Sequence, residues 1–164
     1  MKRETGFTLI EMLIVVALIL IIAAITIPSL IHAKINANEA SAVASVRAIN
    51  QEEVQYQAAY GGFADSLANL GGADPCTKSA ATACLLDESL AGGVKSGYNF
   101  AAVGGNPAGG ENTSYVVGAA PLVFDRTGTR VFCSTDRNVI RVDANTAGST
   151  VPPNGAQCAG FKAL

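Results

Sequence analysis

Residues 12–31 are twenty successive positions without a formal charge. A helix of that length rises about 30 Å, the thickness of a bilayer's hydrocarbon core. The run therefore predicts a membrane-spanning helix. Glu11 stands at its leading end, and an ionised carboxylate near a bilayer centre costs on the order of 2.5–3.5 kcal/mol or more. Its charge needs a partner, which makes it a functional candidate. Lys2 and Arg3 precede the run, so the positive-inside tendency keeps that end cytoplasmic and sends the remainder outward.

The block Gly6-Phe7-Thr8-Leu9-Ile10-Glu11, behind a short basic leader and ahead of the apolar run, resembles the amino-terminal signal of type IV pilins and type II secretion pseudopilins. The resemblance implies that a membrane peptidase cuts between Gly6 and Phe7 and methylates the new amino terminus. Glu11 then becomes the fifth residue of the mature chain. The short leader, residues 1–6, is similar to that of the type IVa subclass. Pro28 also matches the family, whereas Leu20 stands where many members carry glycine, so the resemblance leaves open whether the helix unwinds between Leu20 and Pro28. The resemblance covers the first 31 residues, and beyond them it is architectural. A secretory signal would instead place a small-residue cleavage site after the apolar region.

Pro28 removes a backbone donor, yet the helical pattern resumes behind it. Ala42, Val43, Val46, Ile49, Val54, Tyr56 and Tyr60 share one broad face at helical spacing, with Gln51, Glu52 and Gln55 opposite. The pattern predicts one long, gently bent helix over residues 7–60, apolar all round in its first half and amphipathic in its second. Glu53 falls on the apolar face, as an edge residue or one paired with a neighbouring subunit. Gly61-Gly62 is a left-handed cap signal.

Residues 63–93 read as an irregular connection with Leu67 and Leu70 as core candidates. Strand-like runs follow at 98–103, 114–117, 122–124, 130–133 and 138–142, separated by turn residues at Gly128 and Asp136-Arg137-Asn138. The expected fold is α+β: the amphipathic half-helix packed on a three- or four-stranded antiparallel sheet, followed by a carboxy-terminal loop over residues 144–164. In domain terms this is a leader (1–6), a membrane or filament-core segment (7–31), an amphipathic segment (32–60) and a head (61–164).

Cys76, Cys84, Cys133 and Cys158 all follow the membrane segment, and an even number in an exported domain predicts two disulfides. Three pairings exist. Local closure, together with the carboxy-terminal disulfide loop common in the pilins the chain resembles, favours Cys76 with Cys84 and Cys133 with Cys158.

Catalytic and ligand-binding signals are weak. The single histidine, His32, sits at the membrane boundary, and the cysteines lack a C-x-x-C pair. Gly104-Gly105-Asn106-Pro107-Ala108-Gly109-Gly110 is followed by Glu111 where a phosphate loop requires lysine, so it reads as a hairpin loop. Asp125, Asp136 and Asp143 are calcium candidates or turn aspartates, and Asn112-Thr113-Ser114 fits the glycosylation acceptor rule. A net charge of −2 offers no basic field over the whole domain. No cofactor, metal or enzymatic activity is expected.

The resemblance implies a major pilin of a type IVa pilus, a homopolymer built from an inner-membrane store by prepilin peptidase, an assembly platform and its ATPase. Surface attachment, twitching motility or DNA uptake would follow, with surface or DNA ligands on the filament. The alternatives are a pseudopilin forming a periplasmic piston and a minor pilin acting as a ligand-binding tip.

Overall fold

A computed structural model describes residues 6–164; of the leader over residues 1–6, only Gly6 is among them. The chain divides into two compact units between Lys34 and Ile35.

The first unit holds the apolar part of helix α1 (Leu9–Tyr60). Its large side chains are exposed, from Phe7 through Ile14 and Ile21 to Ile31. The helix passes through Pro28 without a break. Two residues earlier Thr26 Oγ1 donates to Ile22 O at 3.0 Å; the carbonyl that Pro28 leaves without its helical donor is that of Ala24.

In the second unit α1 buries one stripe: Ile35, Glu39, Ala42, Val46, Ile49, Glu53 and Tyr56. Steps of four and three residues place these on one face. Two sequence expectations are corrected here. Val54, assigned to the inner face, is 47% exposed, because it follows Glu53 by one step of about 100° and leaves the stripe. Glu53 is no edge residue: it is fully buried.

The stripe packs on a six-stranded antiparallel sheet in chain order: β1 (Val94–Lys95), β2 (Tyr98–Ala108), β3 (Glu111–Pro121), β4 (Val131–Thr135), β5 (Arg141–Asp143) and β6 (Lys162–Ala163). Tyr98, Phe100 and Ala102 of β2 alternate inward, as do Tyr115, Val117 and Ala119 of β3. With Phe132 and the helix stripe they form the core, and each large apolar side chain removed from water contributes about 1.5–3 kcal/mol.

The sheet has more strands than the three or four expected because β1 and β6 have two residues each, too few to show alternation. The run at 122–124 forms no strand; it enters a bonded loop in which Thr127 N donates to Val123 O. The glycine-rich segment is mostly strand. Only Gly109 and Gly110 make the turn, at φ of 64° and 94°, while Gly104 lies in β2. A Cβ on Gly104 would come within 2.6 Å of Ala64 O, so glycine lets the chain after α1 cross the hairpin.

Two short helices interrupt the connection after α1. Helix α2 (Leu67–Leu70) buries Leu67 and Leu70, and α3 (Glu88–Ala91) is capped by Asp87, whose carboxylate accepts from Leu90 N. The tail is no simple loop either. Asn154 and Gln157 form a reciprocal capping box at the start of α4 (Gly155–Gly160), and β6 pairs with β5. Pro153 lies against Gly118, where a Cβ would come 2.5 Å from Pro153 O. Val131 and Cys133 are buried as well as Phe132 and Ser134, so β4 is covered on both faces.

Candidate functional site

The candidate residues at the amino terminus lie at the start of α1. Gly6, Phe7 and Thr8 precede the helix, so the Gly6–Phe7 peptide lies outside it. Thr8 and Glu11 hold each other. Thr8 N donates to Glu11 Oε2 at 2.8 Å, Thr8 Oγ1 donates to the same oxygen at 2.6 Å, and Glu11 N donates to Thr8 Oγ1 at 3.3 Å. This is a capping box, with Thr8 satisfying a helix amide and Glu11 reaching back to the cap. The sequence reading treated Glu11 as a lone charge; the Thr-x-x-Glu spacing ahead of an apolar run was the signal for the box. Among the described residues, Glu11 Oε1 receives no hydrogen bond. The carboxylate thus has one oxygen fixed by its own helix and one available.

The structure joins Cys76 to Cys84 and Cys133 to Cys158. The first pair closes a surface loop after α2, and the second ties α4 to β4, both sulfurs fully buried. Pro28 lies within the exposed apolar helix.

Two buried glutamates carry the electrostatics of the head. Glu39, 2% exposed, accepts from Thr129 N, Thr129 Oγ1 and Arg130 N through Oε1, and from Arg130 Nε at 2.7 Å through Oε2. Burial pulls its pKa upward most strongly, but the donors from Thr129 and Arg130 together outweigh burial and hold the carboxyl below its usual range. Glu53 has less help. Its Oε2 accepts from Ala64 N at 3.0 Å, and its Oε1 is buried without a partner. Burial pushes this carboxyl up to about 7 against that one bond.

The remaining candidates do not converge. Among the described residues, no three His, Cys, Asp or Glu side chains come together in a metal-binding group, and Asp143 accepts from Asn145 N within its own turn. The Asn112 amide donates to Phe63 O and Asp65 Oδ1, tying the hairpin to the segment after α1. Tyr115 donates to Asn138 Oδ1 at 2.8 Å, and Asn50 Nδ2 donates to Ser134 Oγ at 2.8 Å, a polar seam between helix and sheet.

A family model described as the prokaryotic N-terminal methylation motif matches residues 1–27. The chain carries the type IV pilin signal, which supports a type IV pilin-like or pseudopilin protein, a structural and non-enzymatic kind. No curated protein and no solved structure matches the chain. The motif implies processing by a prepilin peptidase, and with the apolar helix behind it fits a membrane-anchored precursor.

Proposed function

We propose that this chain is the major subunit of a type IVa pilus. It is stored in the inner membrane through residues 7–31, with residues 61–164 forming the outer head, and is cut between Gly6 and Phe7. The observation that carries the proposal is the exposed apolar surface of α1 from Leu9 to Ile31, most of it inside a matched methylation motif. A membrane covers that surface first; the same surface of other copies covers it in the filament. Moving an apolar helix from lipid to like helices changes its hydrophobic burial little, so packing and polar pairing must direct assembly.

Glu11 supplies the polar part. Its Oε2 stays with Thr8, while Oε1 accepts from the cationic, methylated amino group of Phe7 on a neighbouring subunit, a charge that methylation keeps. A misregistered copy leaves a carboxylate unpaired in an apolar core, so the pair selects register and neighbour. Pro28, in the same segment, is proposed to take part in assembly with Phe7 and Glu11. The two cysteine pairs and the folded tail support a pilin over a pseudopilin. Glu11→Ala subunits are expected to remain in the membrane and yield few filaments. Wild-type yield and symmetry in electron micrographs of sheared filaments would contradict the register role. Abundance in those preparations also separates the roles: dominant for a major pilin, absent for a pseudopilin and trace for a tip subunit.

A further inference from the structure

The head carries one run of successive, solvent-facing large apolar residues: Leu122, Val123 and Phe124, at 38%, 47% and 37% exposed. Other exposed apolar residues of the head, such as Val94, Val103 and Val139, stand singly in sequence. Three successive apolar side chains facing water form a small patch, a candidate for an interaction surface. The loop that bears it is held outward. Thr127 Oγ1 bonds both Val123 N and Val123 O, and Asp125 N donates to Gly128 O, so the side chains cannot fold back through backbone rearrangement without breaking these bonds.

The loop is also fixed to the first turns of α1 within the head. Asn38 Nδ2 donates to Thr127 O at 2.8 Å, and Glu39 accepts from Thr129 and Arg130. Asn38 follows Ile31 by seven residues in the chain. Even a fully extended chain of that length spans no more than about 25 Å. Chain length alone therefore keeps the loop within reach of any bilayer that holds residues 12–31. Arg126 is exposed next to Asp125, the one acidic residue of the loop, while Arg130 is paired with Glu39. Exposed apolar side chains beside an arginine fit a lipid interface.

We propose that Leu122, Val123 and Phe124 rest in the lipid interface while the subunit is stored in the membrane, docking the head on the bilayer. This rests on reading the chain as a membrane-stored subunit. Because α1 already holds the head at the surface, a weak loop affinity suffices; tethering converts it into an intramolecular contact. Extraction into a filament must then detach the loop as well as the helix.

The chain has no tryptophan, so one introduced residue reports alone. The full chain, carrying Val123→Trp or, as a second probe, Phe124→Trp, is reconstituted in phosphatidylethanolamine–phosphatidylglycerol vesicles with brominated acyl chains. Ala108→Trp at the exposed hairpin tip serves as the comparison. The expected result is flotation of all three with the vesicles, and a blue shift with loss of most emission for the two loop probes only. Flotation with loop probes no more quenched than Ala108→Trp overturns the docking proposal and leaves membrane storage standing. A blue shift without quenching would put a second copy on the loop and overturns it too. Failure to float overturns the membrane reading together with the proposal.

Discussion

Cys133→Ala combined with Cys158→Ala is expected to lower the stability of the head by about 3–4 kcal/mol, the chain-entropy value for a loop of this length. The disulfide closes 25 residues of sequence separation and is the main tie between tail and sheet. Without it, α4 has six residues, far fewer than an isolated helix needs, and β6 is two residues pairing only with β5. Releasing them would uncover the outer faces of Val131 and Cys133, both buried now. Urea unfolding of the full chain in detergent should show the lower midpoint, and limited proteolysis should cut first in residues 144–164. An unchanged midpoint with a protected tail would show that packing alone holds it. Opening Cys76–Cys84, with a separation of eight, should cost less, because the entropy a crosslink removes grows with loop length.

Stability should also depend on pH through Glu53. Its folded-state value of about 7 lies above the 4.5 of an ordinary glutamate, so the neutral acid is the form the fold favours. The stabilisation is fully present below 4.5 and is lost as pH rises through about 7, a change of roughly 3 kcal/mol for a shift of this size. Tyr56 on the same helix and Tyr115 on β3 lie close enough for a charged Glu53 to raise their own values, although burial is the larger influence on both. Neither hydroxyl bonds Glu53: Tyr56 donates to Ala80 O and Tyr115 to Asn138. Glu39 acts in the opposite sense, since its lowered value adds stability above 4.5 that disappears as pH falls through that lowered value. The head should therefore be most stable between these two carboxylate transitions. Glu53→Gln, neutral at every pH, should remove most of the loss on the alkaline side and leave the acid side unchanged. Denaturation midpoints across pH test this; an alkaline limb unchanged by the substitution would mean that Glu53 is not its source.

The amino-terminal third was legible because few structures accept twenty uncharged residues behind a Gly-Phe-Thr-Leu-Ile-Glu block. The alternation in β2 and β3 was equally readable, each having one buried face. What escaped had physical reasons. Glu39 and Glu53 occupy core positions of the α1 stripe, where hydrophobic patterning has no means of placing an acid: Glu39 is held there by backbone donors ninety residues away, Glu53 by one amide after the helix end. The strands β1 and β6 are too short for periodicity. Helix α4 was announced only by its Asn154–Gln157 cap, and Thr8–Glu11 was the same kind of local signal at the other end of the chain. Thr8 changes the part played by Glu11, which caps its own helix and still offers one oxygen outward.

The central claim is that the chain from Phe7 onward forms the filament. Mass spectrometry of sheared surface filaments tests it most directly. The predicted result is an abundant chain that begins at N-methylated Phe7, lacking the six leader residues. A chain still beginning at Met1 and confined to the membrane fraction, with filaments free of it, would contradict the claim.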